Sequence, residues 1–81
     1  MTNDQRDKSL LLEILHASRG LPRTAQWLGT EMRLAGRGVP DIHGLLREME
    51  RKGLVFSDED SLGILRYLLT PEGRDQLEGM P

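Results

Sequence analysis

The chain has 81 residues, of which 37% are hydrophobic and 30% charged, with a formal net charge of −2. A chain of this length buries only about 60% of the surface its unfolded form exposes, enough for one core of packed helices and too little for a deep catalytic cleft. It contains no cysteine, which excludes disulfide frameworks, thiolate zinc sites and cysteine nucleophiles.

The segment Met1 to Lys8 is polar and mixed in charge. It lacks the apolar run of a signal peptide, and no stretch approaches the ~20 apolar residues of a membrane span. A cytoplasmic location without a membrane partner is expected, with a single domain over residues 1–81 and a flexible lead-in at 1–6. The first periodic segment then runs from Asp7 to Ser18. Leu11, Leu12, Ile14 and Leu15 form an apolar stripe at helical spacing with Leu10 beside it. Asn3 or Asp4 is placed to cap its entry, and Gly20 to end it in the left-handed conformation.

Leu21-Pro22-Arg23 reads as a connector. Thr24 is a fitting N-cap for a second helix reaching Ala35, with Ala25, Leu28 and Met32 inward and Trp27 and Leu34 flanking. Gly36-Arg37-Gly38 breaks the chain, and Pro40 suits the first position of a third helix over 40–52. Ile42, Leu45, Leu46 and Met49 give that helix a clean inner stripe, and Gly53 stops it.

Leu54-Val55-Phe56 has the content of a short strand, Ser57 to Ser61 that of a polar turn, and Leu62 to Leu69 that of a returning strand with Ile64, Tyr67 and Leu69 as its apolar members. Thr70-Pro71-Glu72 combines a capping hydroxyl, a first-turn proline and an acid at the positive helix end. A short last helix should therefore carry Leu77, and with it Met80, to the core. The expected fold is mainly α with a small β-hairpin: three helices, the hairpin, and a short C-terminal helix.

Two stretches carry a family resemblance. Residues 42–55, IHGLLREMERKGLV, are similar to a recognition helix running through L-x-x-L-E-x-x-G-L-V, with Met49 at the second leucine. Residues 67–77, YLLTPEGRDQL, resemble Y-x-L-T-x-x-G-x-x-x-L. In this order and spacing they resemble the winged helix-turn-helix family of bacterial and phage regulators, and together they cover about half the chain. The resemblance implies a DNA-binding regulator of transcription whose partner is double-stranded DNA and whose third helix enters the major groove.

Helical geometry then selects the candidate contacts. With Ile42, Leu45, Leu46 and Met49 inward, the opposite side carries Pro40, Gly44, Arg47 and Arg51, with His43 on its shoulder. Arg47 has the reach for a guanine edge and Arg51 for a phosphate. Gly44 would let the helix backbone approach closely, and Arg37 precedes the helix where phosphate contacts are common. Arg66 is the one cation of the returning strand and the candidate wing contact.

Other residues carry plainer readings. His43 has no second histidine or thiol nearby in sequence to make a metal site, so no metal or cofactor is expected. Trp27 reads as a core or interface residue, and Asp41 as a partner of the helix dipole. The chain has no nucleophile–base pair and no phosphate loop, so it is not expected to be an enzyme.

Charge is unevenly spread. Residues 16–53 hold seven Lys or Arg against four acids, whereas residues 54–81 hold two against six. Asp58, Glu59 and Asp60 fall together at the expected wing tip, where phosphates would be repelled within the ~8 Å Debye length. That tip supports a second reading, a protein-interaction module that uses an acidic wing at 57–61. A homodimer is a further expected arrangement, because helix-turn-helix proteins often occupy paired half-sites. The first helix, the last helix or Trp27 would have to supply its interface.

Overall fold

The computed structural model describes residues 3–79. Four helices pack with a small three-stranded antiparallel sheet: α1 (Asn3–Ala17), β1 (Arg23–Thr24), α2 (Ala25–Leu34), α3 (Ile42–Arg51), β2 (Val55–Glu59), β3 (Leu65–Leu69) and α4 (Pro71–Glu78). The mainly helical architecture with a hairpin agrees with the sequence expectation. The side chains of Asn3 and Asp4, expected as caps, and Met80, expected in the core, lie outside the described residues.

The apolar stripes account for the packing. Leu11, Leu12 and Leu15 of α1, Ala25, Leu28 and Met32 of α2, and Leu45, Leu46 and Met49 of α3 are buried together, and Leu54, Val55 and Tyr67 close the core from the sheet side. Each fully buried leucine or methionine contributes roughly 1.5–3 kcal/mol by leaving water. Leu10, Ile14, Trp27, Ile42 and Leu77 pack around this centre half-buried. Leu34, expected to flank the inner face of α2, is 76% exposed, because helical geometry turns it to the side opposite buried Ala25 and Met32.

Several boundaries differ from the sequence reading. Helix α1 begins at Asn3, so residues 3–6, expected as a flexible lead-in, form its first turns. The connector after Gly20 contains a strand: Arg23 pairs with Tyr67 and Thr24 with Arg66, giving the sheet order β1-β3-β2. Two residues are too few for an alternation to be visible in sequence, and only the neighbouring β3 edge makes them a strand.

The third helix starts at Ile42, not Pro40, because Asp41 is its N-cap and accepts from the Gly44 amide at 2.9 Å. At the hairpin, β2 continues through Asp58 and Glu59, and the turn proper spans Asp60 to Ile64. The cross-strand register explains this: Ser57, Asp58 and Glu59 face Tyr67, Arg66 and Leu65, so paired backbone overrides the local turn-like composition.

Helix ends are closed by their own backbone. Past α3, the Gly53 amide donates to Glu50 and the Leu54 amide to Met49, both at 2.9 Å, with Gly53 at φ 78. This is a Schellman closure, and it places the buried Leu54 against Met49 as the chain enters the hairpin. Gly36 and Arg37 close α2 the same way, donating to Arg33 and Met32. Thr24 and Thr70 cap α2 and α4 through the amides of Trp27 and Gly73, as their sequence context predicts.

Candidate nucleic-acid interface

Helix α3 is held on three sides. Lys8 of α1 reaches Glu48 at 3.2 Å, with its ammonium largely buried. The Ser57 hydroxyl of β2 donates to the Glu50 carboxylate. At the C-terminal end, the Thr70 hydroxyl donates to the Gly53 carbonyl at 2.6 Å and the Thr70 amide to the Leu54 carbonyl at 3.2 Å. With Leu45, Leu46 and Met49 in the core, the helix cannot roll, so its outward residues have a fixed direction.

Those outward residues include His43, Arg47 and Arg51, all exposed. Arg47 and Arg51 lie one turn apart and have no ion-pair partner among the described residues. Lys52, just past the helix, makes an i,i+4 pair with Glu48 at 3.6 Å. The outer line of α3 is thus basic, although Glu50 lies beside it. Tyr67, under the same region, has its hydroxyl pKa raised by burial and by the Glu50 carboxylate, with Arg47 partly opposing.

The remaining sequence candidates have partners within the protein. The Arg37 Nε donates to Asp7 of α1 at 2.8 Å, which ties the turn before α3 to the first helix. Arg66 meets the Asp58 carboxylate at 3.2 Å across the hairpin. Asp41, beyond its charge, spends its carboxylate oxygen on the Gly44 amide. At Gly44 an added Cβ would lie 2.2 Å from the other Asp41 oxygen, so the space at this glycine belongs to the cap.

The acidic run of the hairpin is also redistributed. Asp58 is neutralised by Arg66, and Asp60 folds into the turn, accepting from the Leu62 and Ile64 amides at 2.8 and 3.0 Å. Those amides, Ile64 first, hold the Asp60 carboxyl below its ordinary value of 3.8. Apolar residues occupy the end of the hairpin, with Leu62 81% exposed and Ile64 and Leu65 nearly half exposed. Ile64 reads in the sequence as an apolar member of the returning strand. It lies outside the paired strand, in the turn, and so has no sheet face to bury.

A groove of about 490 Å³ separates the first turn of α3 from the hairpin, with Gln26, His43, Ile64 and Tyr67 among its lining residues. Gln26, which was not among the sequence candidates, lines this groove from α2. Its signal is its place two residues after the Thr24 cap, on the exposed side of α2. Trp27 is half-buried against the core, with the Arg23 guanidinium stacked 4.0 Å from its ring centroid. The Arg23 Nε is held in turn by the buried Ser18 hydroxyl at 3.1 Å.

Comparison with solved structures gives strong matches. TA0346 of Thermoplasma acidophilum, classed as a transcriptional regulator, superposes with a TM-score of 0.76 at 22% identity, covering 91% of this chain and 73% of that one. MepR in complex with DNA matches at 0.67 and 25% identity, over 89% of this chain and 57% of its own. MepR regulates transcription of the Staphylococcus aureus multidrug efflux pump MepA. A protein of Pseudomonas aeruginosa, also classed as a transcriptional regulator, matches at 0.68 and 28% identity, over 89% and 52%. The chain thus spans about half the length of the MepR and P. aeruginosa proteins. No family model and no curated protein sequence matches it. Among the described residues, no helix is long and apolar enough to cross a membrane.

Proposed function

We propose that this chain, whose fold is the winged helix-turn-helix of the transcriptional regulators above, is itself a non-enzymatic, DNA-binding regulator that reads the major groove with α3. The observation that carries this reading is the outer line of α3, where exposed Arg47 and Arg51, without an ion-pair partner among the described residues, project from a helix anchored along its inner face. Support comes from the likeness to MepR, a regulator solved with DNA. Arg47 takes the base-reading role, since its guanidinium matches a guanine edge with two hydrogen bonds worth about 1–3 kcal/mol of discrimination. Arg51 and Lys52, further along, meet phosphate. His43 and Gln26 flank the helix entry. Arg37 and Arg66, each engaged with a carboxylate, act by fixing the turn and the hairpin.

Selection from a random duplex pool tests this, comparing the wild type with Arg47→Ala and Arg51→Ala. The wild type should enrich a short motif. Arg47→Ala should lose preference at one base position, and Arg51→Ala should weaken all duplexes alike. Failure to retain any duplex at low salt, or two variants indistinguishable from wild type, would overturn the reading.

One observation favours a second reading as a protein-interaction module. The end of the hairpin presents exposed Leu62, Ile64 and Leu65 beside Glu59, which suits a basic, apolar partner better than a phosphate backbone. Neutralising Asp58, Glu59 and Asp60 separates the two readings. Stronger duplex binding follows if the hairpin lies against DNA, and loss of a captured protein partner follows if it is the docking surface.

A further inference from the structure

Two lysines meet one carboxylate oxygen near the end of α3. Glu48 Oε1 lies 3.2 Å from the Lys8 ammonium of α1 and 3.6 Å from the ammonium of Lys52, the C-cap residue of α3. Two ammonium groups on one carboxylate leave one positive charge in excess at this end of the helix. The two pairs differ in burial. The side chain of Lys8 is 10% exposed, that of Glu48 35% and that of Lys52 54%.

Burial decides which pair yields. Parting Lys8 from Glu48 would leave an ammonium in the protein interior without this carboxylate, which is costly. A surface pair at i,i+4 spacing is weak, because water screens it and two long side chains must be ordered to hold it. A phosphate approaching the end of α3 therefore competes with Glu48 for Lys52 and not for Lys8. Once Lys52 leaves, Lys8 still neutralises Glu48, and the carboxylate does not repel the phosphate. Lys8 itself is too buried to meet a phosphate directly.

We propose that Lys8 is a positioning residue for the phosphate contact of Lys52. It takes over Glu48 when Lys52 turns from that carboxylate to a phosphate of the duplex. The inference rests on the DNA-binding reading of α3 and adds to it a residue of α1 that does not touch the duplex. Lys52, although ion-paired in the free chain, is thereby a cation in reserve. In sequence, Glu48 and Lys52 form an ordinary helix-stabilising pair. Only the fold brings Lys8 onto the same oxygen and makes that pair dispensable.

Salt titration of binding to the duplex enriched in the selection above tests the proposal, because the slope of log affinity against log salt counts phosphates at about 0.9 each. Lys52→Gln should make the slope shallower by about 0.9. Lys8→Met should do the same, although it removes a buried cation, because Glu48 then keeps Lys52. The two substitutions together should lose no more than either alone. Lys8→Met/Glu48→Gln removes both charges of the buried pair and should restore the wild-type slope. It carries the test if Lys8→Met alone does not fold. In the isotope-labelled full chain, the Lys52 ammonium resonance should move on adding duplex while that of Lys8 stays. A Lys52→Gln or Lys8→Met slope equal to wild type, additive losses, a Lys8→Met/Glu48→Gln slope steeper than wild type, or a Lys8 resonance that moves with that of Lys52 would overturn the hand-over and leave the DNA reading standing. A wild type that retains no duplex would overturn the DNA reading, and the hand-over with it.

Discussion

Gly44 reads in the sequence as a gap that lets a nucleic acid approach the helix, yet in the structure the gap holds the Asp41 carboxylate. Two opposed terms meet there. Alanine is a better helix residue than glycine by about 0.8–1 kcal/mol, but its Cβ would displace the capping oxygen, and a lost N-cap costs about 1 kcal/mol. Gly44→Ala should therefore change stability little in the wild-type background. With Asp41→Ala already made, the same substitution should stabilise by about 1 kcal/mol, so chemical denaturation of the four-protein cycle should return a coupling near that value. A coupling near zero would mean that Asp41 and Gly44 act independently. Gly73 differs in kind. Its added Cβ would lie 2.2 Å from the Leu54 backbone carbonyl, which has no flexible end to swing aside, so this glycine sets how closely α4 sits on the start of the hairpin.

The hairpin behaves as an element, and its acids divide between two structural tasks. Asp58 pairs with Arg66 across the strands, and Asp60 organises the turn by accepting from two amides. Those amides lower the folded-state pKa of Asp60 below 3.8. A group depressed in this way contributes stability above its unfolded pKa and loses it as pH falls through the folded value. Asp60→Asn keeps an oxygen acceptor and removes the titration. The melting-temperature gap between wild type and Asp60→Asn should thus close as pH falls from about 5 toward 2. A gap that stays constant over that range would place the acid sensitivity in other carboxylates.

At the scale of the molecule, charge is segregated by fold as well as by sequence. The exposed Arg47 and Arg51 of α3 lie on one outer line, while α4 carries Glu72, Asp75 and Glu78 on exposed positions. On the proposed reading, a helix with so few cations free of ion pairs among the described residues draws little on phosphate attraction. If two to four phosphates are neutralised, the logarithm of duplex affinity should fall with the logarithm of salt at a slope of about −2 to −4. A salt titration of duplex binding measures this directly. A much steeper slope would require a second copy of the chain or cations outside α3.

The sequence by itself determined the order of helices and hairpin, the inner faces of α1, α2 and α3, the Thr24 and Thr70 caps and the Gly53 stop. These depend on 3.6-residue periodicity and on local backbone chemistry, which neighbouring residues express without help. It also located Arg47 and Arg51 on the outer side of α3, since a fixed inner stripe dictates the opposite face. Only the tertiary structure decided the rest. Strand β1 exists because β3 offers an edge to pair with, and Asp58 and Glu59 join a strand because Arg66 and Leu65 lie across from them. Arg37 is tied down by Asp7, thirty residues away, and an ion pair at that separation leaves no trace in local pattern. The α3 helix from Ile42 to Arg51 was legible as a buried stripe, whereas which of its neighbouring cations remain free is set by partners that only the folded chain brings within reach.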